Sequence, residues 1–155
     1  MLRQVILGLL CSMSIVVHAA VSCVPVNAKV DSKNIVLSAP IKPSTSQLYF
    51  INNKAQHGVW LDHPQAKKSA SAGWSSYIQA GHWSAFLLSG KDFVLSCAVI
   101  QPGKVDYQPC ADVVSICVAN NANFKTSPKN SYWLAEDKSW NDIVKAVQKR
   151  GVDFK

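Results

Sequence analysis

Turn signals interrupt this chain roughly every eight to twelve residues, and the runs between them are short, apolar and rich in aromatic and β-branched side chains. That rhythm excludes long helices over most of the sequence and fits strands joined by turns. Residues 47–52 (QLYFIN) and 58–63 (GVWLDH) are two such runs, separated by polar residues 53–57 and closed by Pro64, which cannot donate to a ladder. They read as a hairpin with a longer loop. Residues 74–79 and 82–89 read as a second hairpin, with Gly81 supplying the permissive backbone between them. A turn at 89–92 leads into a run at 93–100, and Gln101-Pro102-Gly103-Lys104 has Pro and Gly where a type II turn wants them. Residues 105–108 and 113–118 supply two further strands, and 34–38 a short one upstream.

The C-terminus changes period. Trp140, Ile143, Val144 and Val147 fall at i, i+3, i+4 and i+7, the core face of a helix over 140–150. Ser139 is a good N-cap, and Asp142 stands where a capping-box carboxylate belongs. Lys149 and Arg150 occupy the last turn and Gly151 the C′ position, as helix ends prefer. The expected fold is therefore mainly β: a two-layer β-sandwich of about seven to nine antiparallel strands with one C-terminal amphipathic helix packed against it.

Residues 1–19 carry one positive side chain, Arg3, then an apolar run over 5–17 and the small-residue exit Val17-His18-Ala19. The run is too short to span a bilayer comfortably, so 1–19 reads as a removable secretory signal peptide. The expected location is periplasmic or secreted, with no integral membrane segment after signal removal. Residues 20–46, rich in Pro, Ser, Lys and Asn, read as an N-terminal extension with a short strand, and 47–155 as the sandwich domain with its helix.

Cys11 leaves with the signal, and Cys23, Cys97, Cys110 and Cys117 remain. An even count in an exported chain predicts two disulfides, and four cysteines allow three connectivities among which spacing does not choose. A competing reading makes Cys23 a lipidated N-terminus after Ala20-Val21-Ser22, although Ala20 stands where a lipobox prefers Leu. The net charge of +7 is dispersed, with Lys67-Lys68 the only adjacent lysine pair. Dispersed charge favours solubility and weak attraction to anionic envelope polymers; it does not form the clustered stripe of a nucleic-acid footprint.

Catalytic constellations are missing from the sequence. There is no G-x-S-x-G elbow, and Ser69-Ala70-Ser71-Ala72-Gly73 lacks the strand–turn–helix context an elbow needs. Paired cysteines leave no thiol nucleophile. His57 and His63 lie about 20 Å apart on an extended strand, too far to share a metal, and neither they nor His82 and Asp62 have ligand spacing. Carboxylates are scattered, with Glu136 the only glutamate, and no Gly-rich loop is built to cradle phosphate. The expectation is no catalytic residue, no metal and no cofactor.

Aromatic residues are the best binding signal. Trp60, Trp74, Tyr77 and Trp83 are concentrated in one stretch, and Tyr132 and Trp133 follow later. Aromatic faces stack on sugar rings or anchor protein interfaces, but the same residues also form strands and fill cores. Tyr132 and Trp133 are strand neighbours and face opposite sides, so both cannot enter one core. The expected function is that of an exported, non-catalytic envelope protein acting by binding, with an envelope protein or a cell-wall glycan as partner. Two alternatives stand beside it. One is a small peptidoglycan hydrolase with carboxylates assembled across strands. The other is a periplasmic inhibitor or chaperone binding through a sheet edge.

Several blocks share a pattern: Phe50-Ile51-Asn52-Asn53, Gly58-Val59-Trp60-Leu61-Asp62-His63-Pro64, Ser71-Ala72-Gly73-Trp74-Ser75-Ser76 and Gly81-His82-Trp83-Ser84-Ala85. Leu95-Ser96-Cys97, Pro102-Gly103-Lys104-Val105 and Ser131-Tyr132-Trp133-Leu134-Ala135-Glu136-Asp137 extend it. Together they resemble the enhanced entry protein EnhB family of legionellae and related intracellular gram-negative bacteria. The resemblance covers roughly residues 47–155 and leaves the chain up to Ser46 unmatched. It implies an exported protein linked to host-cell entry, virulence or envelope maintenance, and it brings no catalytic residues.

Overall fold

The computed structural model describes residues 20–25, 29–31, 34–37, 46–62, 75–88, 93–125 and 132–155. Residues 1–19, expected as a signal peptide, His63, the serine cluster at 69–73, the Lys67-Lys68 pair and Trp74 lie outside them.

Strand β4 (Gln47–Asn53) shows how the layers arise. Tyr49 and Ile51 enter one core, while Leu48 and Phe50, on the opposite face, enter another. A strand apolar on both faces has to be covered on both, which places it in the middle of the molecule. Its sheet runs β1 (Cys23–Pro25), β10 (Val114–Ala119), β4, β7 (Trp83–Leu88) and β12 (Tyr132–Asp137). The second sheet runs β2 (Lys29–Asp31), β3 (Asn34–Leu37), β8 (Phe93–Gln101), β5 (Gly58–Asp62) and β6 (Ser75–Ile78). Strand β9 (Lys104–Gln108) also pairs with β8, continuing the edge that β3 occupies at its other end. Every pairing is antiparallel.

The first core lies between the two sheets, where Tyr49, Ile51 and Phe86 meet Val59, Leu61 and Leu95. The second lies on the far face of the first sheet, under helix α2 (Trp140–Lys149) and the two-stranded ribbon of β11 (Ala122–Phe124) and β13 (Val152–Phe154). Leu48, Phe50 and Leu134 meet Ile143 and Val147 there. The mainly β sandwich with one C-terminal amphipathic helix is thus the fold observed. The described residues hold more strands than the expected seven to nine: a five-stranded and a six-stranded sheet, plus the ribbon. Strands before Ser46 join both sheets, through β1 in one and β3 in the other. A one-turn helix, α1 (Cys110–Val113), precedes β10.

Neither expected hairpin forms. β4 and β5 belong to different sheets, and so do β6 and β7, so the chain crosses the sandwich at both connections. Alternating apolar residues specify a half-buried strand but not its neighbour. Sequence-adjacent strands do pair elsewhere: β2 with β3, Asp31 opposite Asn34, and β8 with β9, Gln101 opposite Lys104 with Gly103 at φ +71° in the turn.

The four cysteines pair as Cys23–Cys117 and Cys97–Cys110, with Cα separations of 5.5 and 5.1 Å. The first bridge overturns the lipidated reading of Cys23, because its sulfur is already bonded. In α2 the Ser139 hydroxyl accepts from the Asp142 amide at 3.2 Å and donates to the Asp142 carboxylate. Ile143 and Val147 are fully buried, while Trp140 and Val144 flank them partly exposed. Among the described residues no helix is long and apolar enough to cross a membrane.

Candidate binding groove

Side chains alternate across a strand, so the buried Val59 and Leu61 of β5 force Gly58, Trp60 and Asp62 onto the outer face of the second sheet. Register then assembles a row across that face. Tyr107 of β9 stands opposite Ala98 of β8, Ala98 opposite Trp60, and Trp60 opposite Tyr77 of β6. Three aromatic side chains from sequence-distant strands thereby share one line. Trp60 is 43% exposed, Tyr77 44% and Tyr107 58%.

The two central rings are held in place by their surroundings. The Tyr77 ring lies across Gly58, where an added Cβ would collide with the phenol. It meets Trp60 edge to face, with centroids 6.5 Å apart and planes inclined by 68°. On the other side of Trp60 the surface dips. Trp60, Asp62, Ala98, Ile100, Val105 and Tyr107 line a groove of about 410 Å³. Trp60 and Tyr107 stand on strands two apart, so their backbones are about 10 Å from each other, with small Ala98 as the floor between them.

Strand β9 is inverted relative to an ordinary sandwich strand. Its polar residue Asp106 pairs with the buried Val99 and so takes the core-side direction at the sheet periphery, while Val105 and Tyr107 face outward. Val105 is 57% exposed. Asp106 is held where it is by Lys104 Nζ at 3.5 Å and by Gln108 Nε2 at 3.1 Å. A strand that turns its apolar residues to water beside an exposed Trp creates a contiguous apolar patch of the kind that marks a binding surface.

The other aromatic candidates are distributed differently. Trp83 is a core residue: its ring and that of Phe50 each meet Trp140 edge-on at 4.9 Å. Trp133 is half-exposed at the edge of the first sheet, donating its indole N–H to Ser84 Oγ at 2.8 Å, with the Arg150 guanidinium 5.7 Å from its ring centroid. Tyr132 lies beside it in β12, its side chain outside the described residues. The structure therefore joins Trp60 and Tyr77 in one site and places Trp83 and Trp133 elsewhere. Tyr107, Val105 and Ile100 are site residues that the aromatic clustering in sequence did not reveal.

His57 is exposed, and His82 Nδ1 lies 3.2 Å from Glu136 Oε1, which also accepts the Gln79 amide at 3.1 Å. Among the described residues no group of three His, Cys, Asp or Glu side chains is placed to hold a metal. A second groove, of about 570 Å³, lies between Ala20-Val21 and the helix residues Trp140, Val144 and Lys145. Its one aromatic among the described residues, Trp140, also meets Phe50 and Trp83 edge-on. Of the residues lining the groove beside Trp60, only Asp62 carries a carboxylate. Compared with known family models, curated proteins and solved structures, the chain matches none.

Proposed function

We propose that this protein is an exported, non-catalytic envelope factor that acts by binding a partner in the groove between Trp60 and Tyr107. The observation that carries this reading is the inversion of β9, which presents Val105 and Tyr107 to solvent beside Trp60. Exposed aromatic anchors flanking a shallow pocket are the side chains that dominate binding energy at interfaces. The two disulfides support an oxidising compartment, since such bridges persist in periplasmic and extracellular proteins and are rare in the cytosol. The role that accompanies the EnhB-like blocks, host-cell entry or envelope maintenance, is part of the same proposal. A typical glycoside hydrolase uses two carboxyl groups about the scissile bond, and the described residues of this groove offer one.

Co-sedimentation of the purified protein with envelope fractions tests it. Wild type is expected to bind saturably, and Trp60→Ala and Tyr107→Ala each to weaken binding about tenfold or more, the loss of one interface anchor. Undiminished binding by both variants, or turnover of peptidoglycan by the wild type, overturns the proposal.

A further inference from the structure

Resting on the binding reading above, we infer that the groove takes a proline-rich segment in the polyproline II conformation, with a lysine or arginine beside its prolines. Three features of the groove select this occupant. Its walls are two aromatic side chains, Trp60 and Tyr107, separated by the small Ala98, a slot for flat apolar rings. Proline-rich peptides dock in aromatic-lined grooves of this kind because their extended helix is already ordered before binding.

The floor is the second feature. Ala98, Ile100 and Val105 offer no side-chain donor or acceptor. A sugar ring seated there would lose water from its hydroxyls without replacement, at a cost of about 1–3 kcal/mol for each unpaired group. Proline presents an apolar ring instead, and its polyproline II backbone points carbonyls outward, where they stay solvated. Both walls also carry a donor suited to such carbonyls, the Trp60 indole N–H and the Tyr107 hydroxyl.

The third feature is charge. Among the described residues Asp62 is the only charged side chain lining the groove, and it forms no ion pair with any of them. Although the chain as a whole carries +7, this local carboxylate beside an apolar slot favours a cation on the occupant at short range. The ring of Trp60, two residues away on the same face, adds a cation–π surface for that group.

The test uses the purified full-length mature protein and follows the Trp60 indole N–H by NMR. The probes are a lysine-flanked proline-rich peptide, the same peptide with norleucine for lysine, the same peptide with alanine for each proline, and a chitin oligosaccharide. The lysine peptide is expected to shift the Trp60 signal saturably, the norleucine peptide to bind about two- to fivefold more weakly, and the alanine peptide and the sugar not to bind. Asp62→Asn is expected to erase the preference for lysine while retaining the proline dependence, and Tyr107→Ala to weaken both peptides about tenfold. Equal binding of the lysine and norleucine peptides, binding of the sugar alone, or no response to any peptide overturns the inference. Thermal melts of each variant separate loss of binding from loss of fold. If envelope binding still depends on Trp60 and Tyr107 while the peptides fail, only this inference falls. If envelope binding ignores both residues, the binding reading falls with it.

Discussion

Asn53 is fully buried at the point where the chain leaves β4, and its amide nitrogen lies 2.8 to 3.1 Å from the carbonyls of His57, Ile78 and Gln79. Its side-chain oxygen accepts from the Ala55 amide at 2.8 Å, and its backbone pairs with His82 and Gly81. One side chain thus satisfies both places where the chain crosses between sheets. Asn53→Ala would remove this donor from the buried Ile78 carbonyl and from the half-buried His57 and Gln79 carbonyls, and the expected loss is about 3 kcal/mol in urea unfolding. Asn53→Asp should cost at least as much at neutral pH, because a carboxylate cannot donate to those carbonyls. Tyr49 gives a second test at this scale. Burial in the inter-sheet core raises its phenol above the ordinary 10.0, so the folded state holds the neutral form more tightly than the unfolded chain does. The resulting stability is complete below pH 10 and is lost as pH rises through the folded value. Tyr49→Phe is expected to flatten the alkaline limb of a stability–pH curve measured by chemical denaturation.

Helix α2 is the element most legible in the sequence, because its start, its buried stripe and its end are each written in local residues. Ser139 caps it as expected, and Ser139→Ala should cost about 1 kcal/mol. Trp140 does more than occupy a stripe position. It meets Phe50 and Trp83 edge-on and closes the second core over β4 and β7. Trp140→Ala is therefore expected to cost about 3–5 kcal/mol, read as a lowered urea midpoint. The strands were legible individually, since apolar runs bounded by Gly, Pro and polar clusters have few other uses. Their pairing was not. The short polar segment after β4 has the length of a hairpin loop and is instead a corner, because the partners that complete it, Ile78, Gln79 and His82, come from another part of the chain. β9 was legible as a strand but not as inverted: every residue of the VLSCAVI run before it is apolar or small, so neither face of β8 announces itself. The buried Cys97 and the tight Pro102-Gly103 turn set the phase, and through it the outward direction of Tyr107.

Across the whole molecule, the two disulfides act at different ranges. Cys23–Cys117 spans 94 residues and ties the edge strand β1 to its neighbour β10, while Cys97–Cys110 spans 13 and pins α1 to β8. Chain-entropy arguments assign about 4.7 kcal/mol to the longer loop and about 3 kcal/mol to the shorter. Denaturation of the Cys23→Ala/Cys117→Ala and Cys97→Ala/Cys110→Ala pairs is expected to rank them in that order, the longer bridge costing more. Asn121 adds a tie between distant parts of the chain: its side chain donates to the Ala20 carbonyl at 3.0 Å and to the Lys155 carbonyl at 2.8 Å.

Local chemistry was enough to specify strands, turns, the capped helix and an even set of cysteines, because each depends on side chains within a few residues of one another. Which strands became neighbours, which cysteines met, and that Trp83 is core while Trp60 is surface came from folding in three dimensions. Those outcomes depend on contacts between residues tens of positions apart: Val59 and Leu61 finding the inter-sheet core, Asn53 capturing carbonyls from β6, and Trp140 closing over Phe50 and Trp83. A groove built from β5, β8 and β9 has no counterpart in any stretch of sequence, since it exists only once register has aligned Trp60, Ala98 and Tyr107.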